Sequence, residues 1–343
     1  MGWNRSGNYS NYSVDMTDII REIRERAAKQ CKTVIFPETE DPRVLKAASF
    51  LADKNISLAV LVGKKSRIKE TARQEGINLP DSMEFMSIDT IPFVNELVDH
   101  LYQRRKHKGI SRAETQKTIR NPLYFGAGLV AINRADGCVA GSVATTGEVI
   151  RAAIHSIGLR KSTNIASSTF LMALREGRVL TYADCGVVPY PDADQLADIA
   201  VESARTHRLL TQQDPIVAML SFSTKGSAKH ERTEFVTEAM EIAKNNAPEL
   251  KIDGEFQFDA AFVPEVAKRK APKSEVAGKA NVFIFPNLDA GNIAYKITER
   301  LAGATATGPI LQGLAKPMMD LSRGCSWQDI VNAACVSILM GKE

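Results

Sequence analysis

No stretch of this 343-residue chain approaches the roughly 18 to 20 consecutive apolar residues of a membrane-spanning helix. The opening residues, rich in Asn, Ser and Tyr, also lack the apolar core of a secretory signal. Asn4, Asn8 and Asn11 each begin an N-x-S triplet, but nothing directs them to secretion, and the stretch before Met16 reads as a flexible or mis-started leader. The expectation is a cytoplasmic protein. Cysteine is scarce: Cys31, Cys138, Cys185, Cys325 and Cys335 are odd in number, scattered and without a C-x-x-C pair. That pattern argues against a disulfide framework and against a structural zinc site. The histidines at 100, 107, 155, 207 and 230 have no metal-ligand spacing. Charge of one sign is lacking too. The 44 basic and 40 acidic residues leave a net +4 with no concentrated basic stripe, which argues against a nucleic-acid partner. There is no internal repeat and no low-complexity linker.

What remains is 44% hydrophobic, enough for two domains of ordinary size. Short apolar runs bounded by Gly, Pro, Asn or Asp predict buried strands over Thr33–Phe36, Leu58–Val62, Gly137–Ala140, Val179–Ala183, Ile216–Phe222 and Val282–Phe285. Helical patterns fall between them, over Arg43–Ala52, Phe93–Lys106, Gln195–Leu210 and Glu231–Asn245, with a charged amphipathic helix at Ile19–Lys29. Alternation of this kind predicts an α/β fold with largely parallel sheets. Ligands of such sheets gather at the carboxyl ends of strands, where helix N-termini present free N–H groups to anions.

Four post-strand loops therefore matter. The first, Gly141–Glu148, carries Thr145 and Thr146 and leads to Arg151; it could cradle an anion, or Thr146 could simply cap the next helix. The second, Ser223–Lys229, lacks the G-x-x-x-x-G-K-[ST] spacing of a nucleoside-triphosphate loop, yet Lys225 and backbone amides could form a general anion cradle. In the third, Pro286–Asn292, Asp289 and Asn292 read as caps of the helix Ile293–Leu301. The fourth contains Ser322-Arg323-Gly324 and then Ser326-x-x-Asp329, a capping-box variant opening the last helix. A carboxylate there can also act as a base if a substrate proton comes within hydrogen-bond reach. Upstream, Arg104-Arg105-Lys106-His107-Lys108-Gly109 is either a solvated helix end or the source of an inward arginine for a phosphate.

Gly308-Pro309-Ile310, Gly313-Leu314-Ala315-Lys316-Pro317 and Asp320–Ser326 closely resemble the C-terminal signature of phosphate acetyltransferases (phosphotransacetylases). Phe36-Pro37-Glu38, Arg105–Gly109, Ser221–Lys229, Ala277–Pro286 and Gly291–Lys296 resemble other parts of that family, in order, from about Glu22 to the C-terminus. The resemblance implies two α/β domains, isocitrate/isopropylmalate dehydrogenase-like, with an interdomain cleft. The first would span residues 1–160 and be completed by 309–343; the second would be the insert 161–308. It also implies a homodimer that moves an acetyl group between coenzyme A and inorganic phosphate, with no permanently bound cofactor and no metal. CoA and the acyl phosphate would be substrates. Carried over by position, Asp329 resembles the base for the thiol, Ser322 a hydrogen-bond partner of the thiol or intermediate, and Arg323 the phosphate-gripping cation. Arg105, Arg151, Thr145, Thr146, Lys225 and Asn292 fall at substrate-binding positions. One departure stands out. The family's His-Ser-Ser/Thr run and Asp-Thr-x-Arg become Ala144-Thr145-Thr146 and Glu148-Val149-Ile150-Arg151, which leaves propionyl or butyryl transfer open as alternatives, beside a non-catalytic acyl-CoA-binding module.

Overall fold

The computed structural model describes residues 18–341, so the leader before Met16 and its N-x-S triplets lie outside the described residues. The strands are β1 Thr33–Phe36, β2 Leu58–Val62, β3 Glu84–Met86, β4 Gly137–Ala140, β5 Ser167–Ala173, β6 Val179–Ala183, β7 Ile216–Leu220, β8 Lys251–Phe256, β9 Val282–Ile284, β10 Thr305–Gln312 and β11 Met318–Asp320. They form two sheets. The first has the order β11-β4-β1-β2-β3 and is parallel throughout. The second has the order β10-β5-β6-β9-β7-β8; β6, β9, β7 and β8 run parallel, while β5 is antiparallel to both β6 and β10.

Both sheets carry helices on two faces, which is why their strands read as apolar runs rather than as alternating patterns. On β1, Val34 and Phe36 join a core with Ile23, Leu45, Leu51 and Ile338, whereas Ile35 points the other way, among Leu97, Phe125 and Val149. This is the period of two expected of a strand with both faces covered. In the second sheet, Val217 and Met219 face the helices Ala193–Thr211 and Glu231–Asn246, and Ala218 and Leu220 face the opposite layer. Each fully buried Leu, Ile or Phe contributes about 1.5–3 kcal/mol relative to exposure.

Local chemistry fixes the helix starts. Asp41 caps Pro42–Asp53 by accepting from Arg43 N, with Pro42 in the first turn. The helix Thr146–Ser156 that follows the loop Gly141–Glu148 is capped by Thr145 rather than Thr146, and the helix Leu288–Ala302 by Asn287 rather than by Asp289 or Asn292.

Five strands, β3, β5, β8, β10 and β11, carry no clear sequence signal. β3 and β11 are three residues long. β8 is interrupted by charge, and β10 contains Pro309 at a register shift between Thr307 and Ile310. Proline is tolerated there because β10 is an edge strand. β10 also runs past residue 308, where the insert was expected to end.

Beneath the helix Ala193–Thr211 lies a buried polar layer. Gln312 donates to Ser167 and Ser203 and accepts from Thr206. His207, fully buried, sits 2.8 Å from the Thr181 hydroxyl through Nδ1, and its Nε2 has no partner among the described residues. Burial pushes its pKa down to about 4. The unfolded chain, with a histidine pKa near ~6.5, therefore takes up this proton first. Stability is complete above about pH 6.5 and falls towards pH 4, by about 1.4 kcal/mol per unit for this one group. Thermal melting between pH 7.5 and 4.5 should give a shallower decline for His207→Gln than for the wild type; parallel curves would remove His207 as the source.

Candidate active site

Because β11, β4 and β1 are parallel neighbours, the loops that follow them converge at one end of the first sheet. Glu38, just past β1 and 5% exposed, reaches under the loop that follows β4. Its Oε2 accepts from the amides of Gly141 (2.7 Å) and Ser142 (2.9 Å) and from the Ser142 hydroxyl. Its Oε1 accepts from the amides of Val143 and Ala144 (2.7 Å). A buried carboxylate needs such donors, and a chain of backbone N–H groups forms a natural anion nest. The donors read from sequence as a cradle for a substrate anion are thus occupied by the protein's own carboxylate.

Arg43 adds the second tie. One Nη donates to the carbonyls of Arg323 (2.9 Å) and Cys325 (2.7 Å), the other to the Ser142 carbonyl (3.0 Å) and to Asp41 (2.7 Å). Burial works against the charge of Asp41, but its hydrogen bonds to Arg43 outweigh this and hold it below the usual carboxylate range. The planar fork of arginine suits this role, since it can serve several acceptors at fixed angles.

The turn anchored in this way opens onto a cleft of ≈ 530 Å³. Ser322, Cys325 and Asp329 line one side, and Tyr295, Lys296 and Arg300 of the helix Leu288–Ala302 line it as well. Tyr295 stacks on Phe170, with ring centroids 4.2 Å apart and planes 14° from parallel. Asp329 divides its carboxylate. Oδ2 accepts from the backbone and hydroxyl of Ser326, both at 2.8 Å, completing the capping box, while Oδ1 takes no hydrogen bond from the described residues. Arg24, which donates to Asn332 at 2.9 Å, lies near enough to Asp329 for their charges to interact. Arg323 is exposed, its carbonyl fixed by Arg43 and its guanidinium without a partner among the described residues. The thiol of Cys325 is pushed up to about 11, chiefly by burial.

The other sequence-predicted residues are distributed more widely. Arg105 lines a second cavity of ≈ 350 Å³ with Lys108, Tyr124 and His155. Tyr124 Oη lies 3.0 Å from His155 Nδ1. Burial, with the nearby charges of Arg105 and Arg151, pushes the His155 pKa down. The two arginines thus share one basic neighbourhood. The Thr145 hydroxyl is engaged in the capping box with Glu148, and that of Thr146 donates to Asp320 at 2.7 Å. Asn292, on the helix that lines the cleft, donates to the Cys185 carbonyl. Lys225 is not on this cleft. Its amine bonds Asp253 and the Gly254 carbonyl, and the cradle beside it is filled by buried Glu255, which accepts from Gly226 N and the Ser223 hydroxyl. Sequence reasoning missed the roles of Arg24 and Arg43, which depend on contacts between distant segments, and Asp320 was visible only as the first residue of a motif. Glu38 and Lys296 were visible only as parts of motifs.

Among the described residues, no helix is long and apolar enough to cross a membrane. Residues 18–338 match the family described as Phosphate acetyl/butaryl transferase. A phosphate acetyltransferase from Acetivibrio thermocellus is 46% identical over 331 residues, covering 94% of this chain and 98% of that protein. A solved phosphotransacetylase from Streptococcus pyogenes superimposes with a TM-score of 0.90 at 38% identity, covering 94% of this chain and 98% of that one. A phosphotransacetylase from Staphylococcus aureus does so with a TM-score of 0.88 at 39% identity and the same coverage.

Removal of Glu38 would orphan the amides of 141–144. Glu38→Ala is expected to lower unfolding stability by about 3 kcal/mol or more, since hydrogen bonds to a charged group carry ~1.5–3 kcal/mol each. Urea titration measures this. An unchanged midpoint would show that the loop holds itself.

Proposed function

This chain belongs to the phosphate acetyl/butaryl transferase family and is an acyltransferase, and from that premise we propose that it transfers an acetyl group reversibly between coenzyme A and inorganic phosphate at the cleft of Ser322 and Asp329. The observation that carries the reading is the half-engaged carboxylate of Asp329, which lines the cleft: one oxygen completes the cap of the helix Trp327–Met340, and the other takes no hydrogen bond from the described residues.

In this reaction the CoA sulfur attacks the carbonyl carbon of the acyl phosphate, the carbon–oxygen bond to phosphate breaks, and acyl-CoA and phosphate leave. A thiol of pKa about 8.5 is only a few per cent ionised at pH 7, so a base that takes its proton accelerates attack, typically by ~10²–10⁴-fold. Asp329 takes that role, with Ser322 hydrogen-bonding the thiol or the tetrahedral intermediate. Arg323, in the same turn, is exposed with its guanidinium free of partners among the described residues, and it meets the charge that grows on the departing phosphate. Lys296 and Arg300, from the helix Leu288–Ala302, add cations to the same cleft. Arg105 and Arg151 hold a further anionic part of the substrate, supported by their joint effect on His155. CoA, acyl phosphate and phosphate enter as substrates, and no cofactor stays bound.

On the same reading the chain is two α/β domains, with 161–308 inserted into a first domain of 1–160 and 309–343, and β10 carrying the return. The enzyme acts in the cytoplasm as a homodimer. The exposed apolar row Ile293, Ile297 and Leu301 gives a second copy a surface to cover.

Arg323→Ala and Asp329→Asn are each expected to cut CoA-dependent phosphate release from acetyl phosphate by at least ~100-fold. Near-wild-type turnover by either would remove its role. A mild loss with a lower melting temperature in Asp329→Asn would leave only the cap. Acetyl, propionyl and butyryl phosphate, compared as substrates of the wild type, should rank acetyl first; a higher kcat/KM for butyryl phosphate would transfer the assignment to the longer acyl group.

A further inference from the structure

Asp320 ends β11 two residues before Ser322, is 1% exposed, and has one carboxylate oxygen engaged by the Thr146 hydroxyl at 2.7 Å. The other oxygen has no partner among the described residues. It lies against Gly141, where an added Cβ would come within 2.5 Å of it and of Leu321 N. With φ +103°, Gly141 also holds a backbone conformation that other residues rarely adopt. The approach of β11 to the loop after β4 is therefore close enough that only glycine fits. Thr146 begins the helix Thr146–Ser156, which bears Arg151 a turn and a half later. This hydrogen bond therefore joins two segments with separate parts of the site: Arg151's helix on one side, and the turn of Ser322 and Arg323 on the other.

We propose that the Asp320–Thr146 hydrogen bond is a positioning clamp for the transfer reaction, setting the separation between the Arg151 helix and the Ser322–Arg323 turn. This rests on the acyl-transfer reading and extends it to two residues outside the reacting set. Asp320 touches no reacting atom; it acts through the elements it joins. Burial and the neighbouring Glu38 carboxylate push its pKa up to about 6, so at neutral pH it is mainly the charged, stronger acceptor. Misplacement by even an ångström is enough to depress a reaction that depends on near-attack geometry.

Thr146→Val keeps the side chain's shape and removes the donor, Thr146→Ser keeps the donor, and Asp320→Ala removes the acceptor. Thr146→Val and Asp320→Ala should each lower kcat about tenfold or more, the scale of one charge-assisted hydrogen bond. KM for CoA should move much less. The double variant should be no slower than the worse single variant, and Thr146→Ser should return kcat to within about twofold of the wild type, as expected if donor and acceptor act as a unit. Additive losses would mean that Thr146 contacts substrate itself, and an unchanged kcat in Thr146→Val would mean that the bond sets nothing; either overturns the clamp. Backbone hydrogen exchange of residues 321–325 provides a measure independent of turnover, and it should quicken in Thr146→Val relative to the wild type. A wild type without transferase activity would refute the acyl-transfer reading alone, whereas unchanged exchange in Thr146→Val would refute the clamp.

Discussion

Glu38 is an ionisable group almost wholly withdrawn from water, and it is tolerable there only because the amides from Gly141 to Ala144 turn towards it. That constraint runs in both directions. The carboxylate cannot be satisfied unless the loop after β4 adopts its observed path, and the loop's own N–H groups have no strand or helix to pair with until the carboxylate arrives. With this loop in place, the Ser142 carbonyl stands where Arg43 can reach it, and Arg43 in turn fixes the carbonyls of Arg323 and Cys325. The last loop is therefore supported from the segment that follows the first strand, through two side chains five positions apart in the sequence.

The same device recurs across the fold. Asp184 accepts from the amides of Gly186, Val187 and Val188. Glu255 holds Gly226 and Ser223. Each places a carboxylate of the protein where a parallel sheet would otherwise offer an open anion site. A loop rich in small and hydroxyl residues declares that it has donors to give. Its sequence does not say what accepts from them. This is why Ser223–Lys229 and Gly141–Glu148 looked like substrate cradles, and why their amides serve the interior instead.

What could be read in the chain follows the range of the forces involved. Strands that are short apolar runs bounded by turn residues announced themselves through local composition, and Thr33–Phe36, Leu58–Val62, Gly137–Ala140 and Val179–Ala183 lie where the apolar runs put them, whereas β5, buried throughout, did not. β8 and β10 did not, because their identity comes from neighbours in the sheet rather than from alternation along the strand. The turn of Ser322 and the carboxylate of Asp329 were legible as a motif and as a cap, and the cleft brings them together. Arg24, beside Asp329 but some three hundred residues earlier in the chain, carries no local mark that could have placed it there.

Cys325 shares the cleft with Ser322 and Asp329, so a second sulfur lies where a substrate sulfur is expected to react. Burial pushes its thiol up to about 11, which keeps it protonated at neutral pH, whereas the thiolate is the nucleophilic form. On the acyl-transfer reading, a protonated thiol competes poorly with a substrate thiolate for an activated acyl group. The enclosure of Cys325 thus sets the protein's own sulfur apart from the one a substrate would bring.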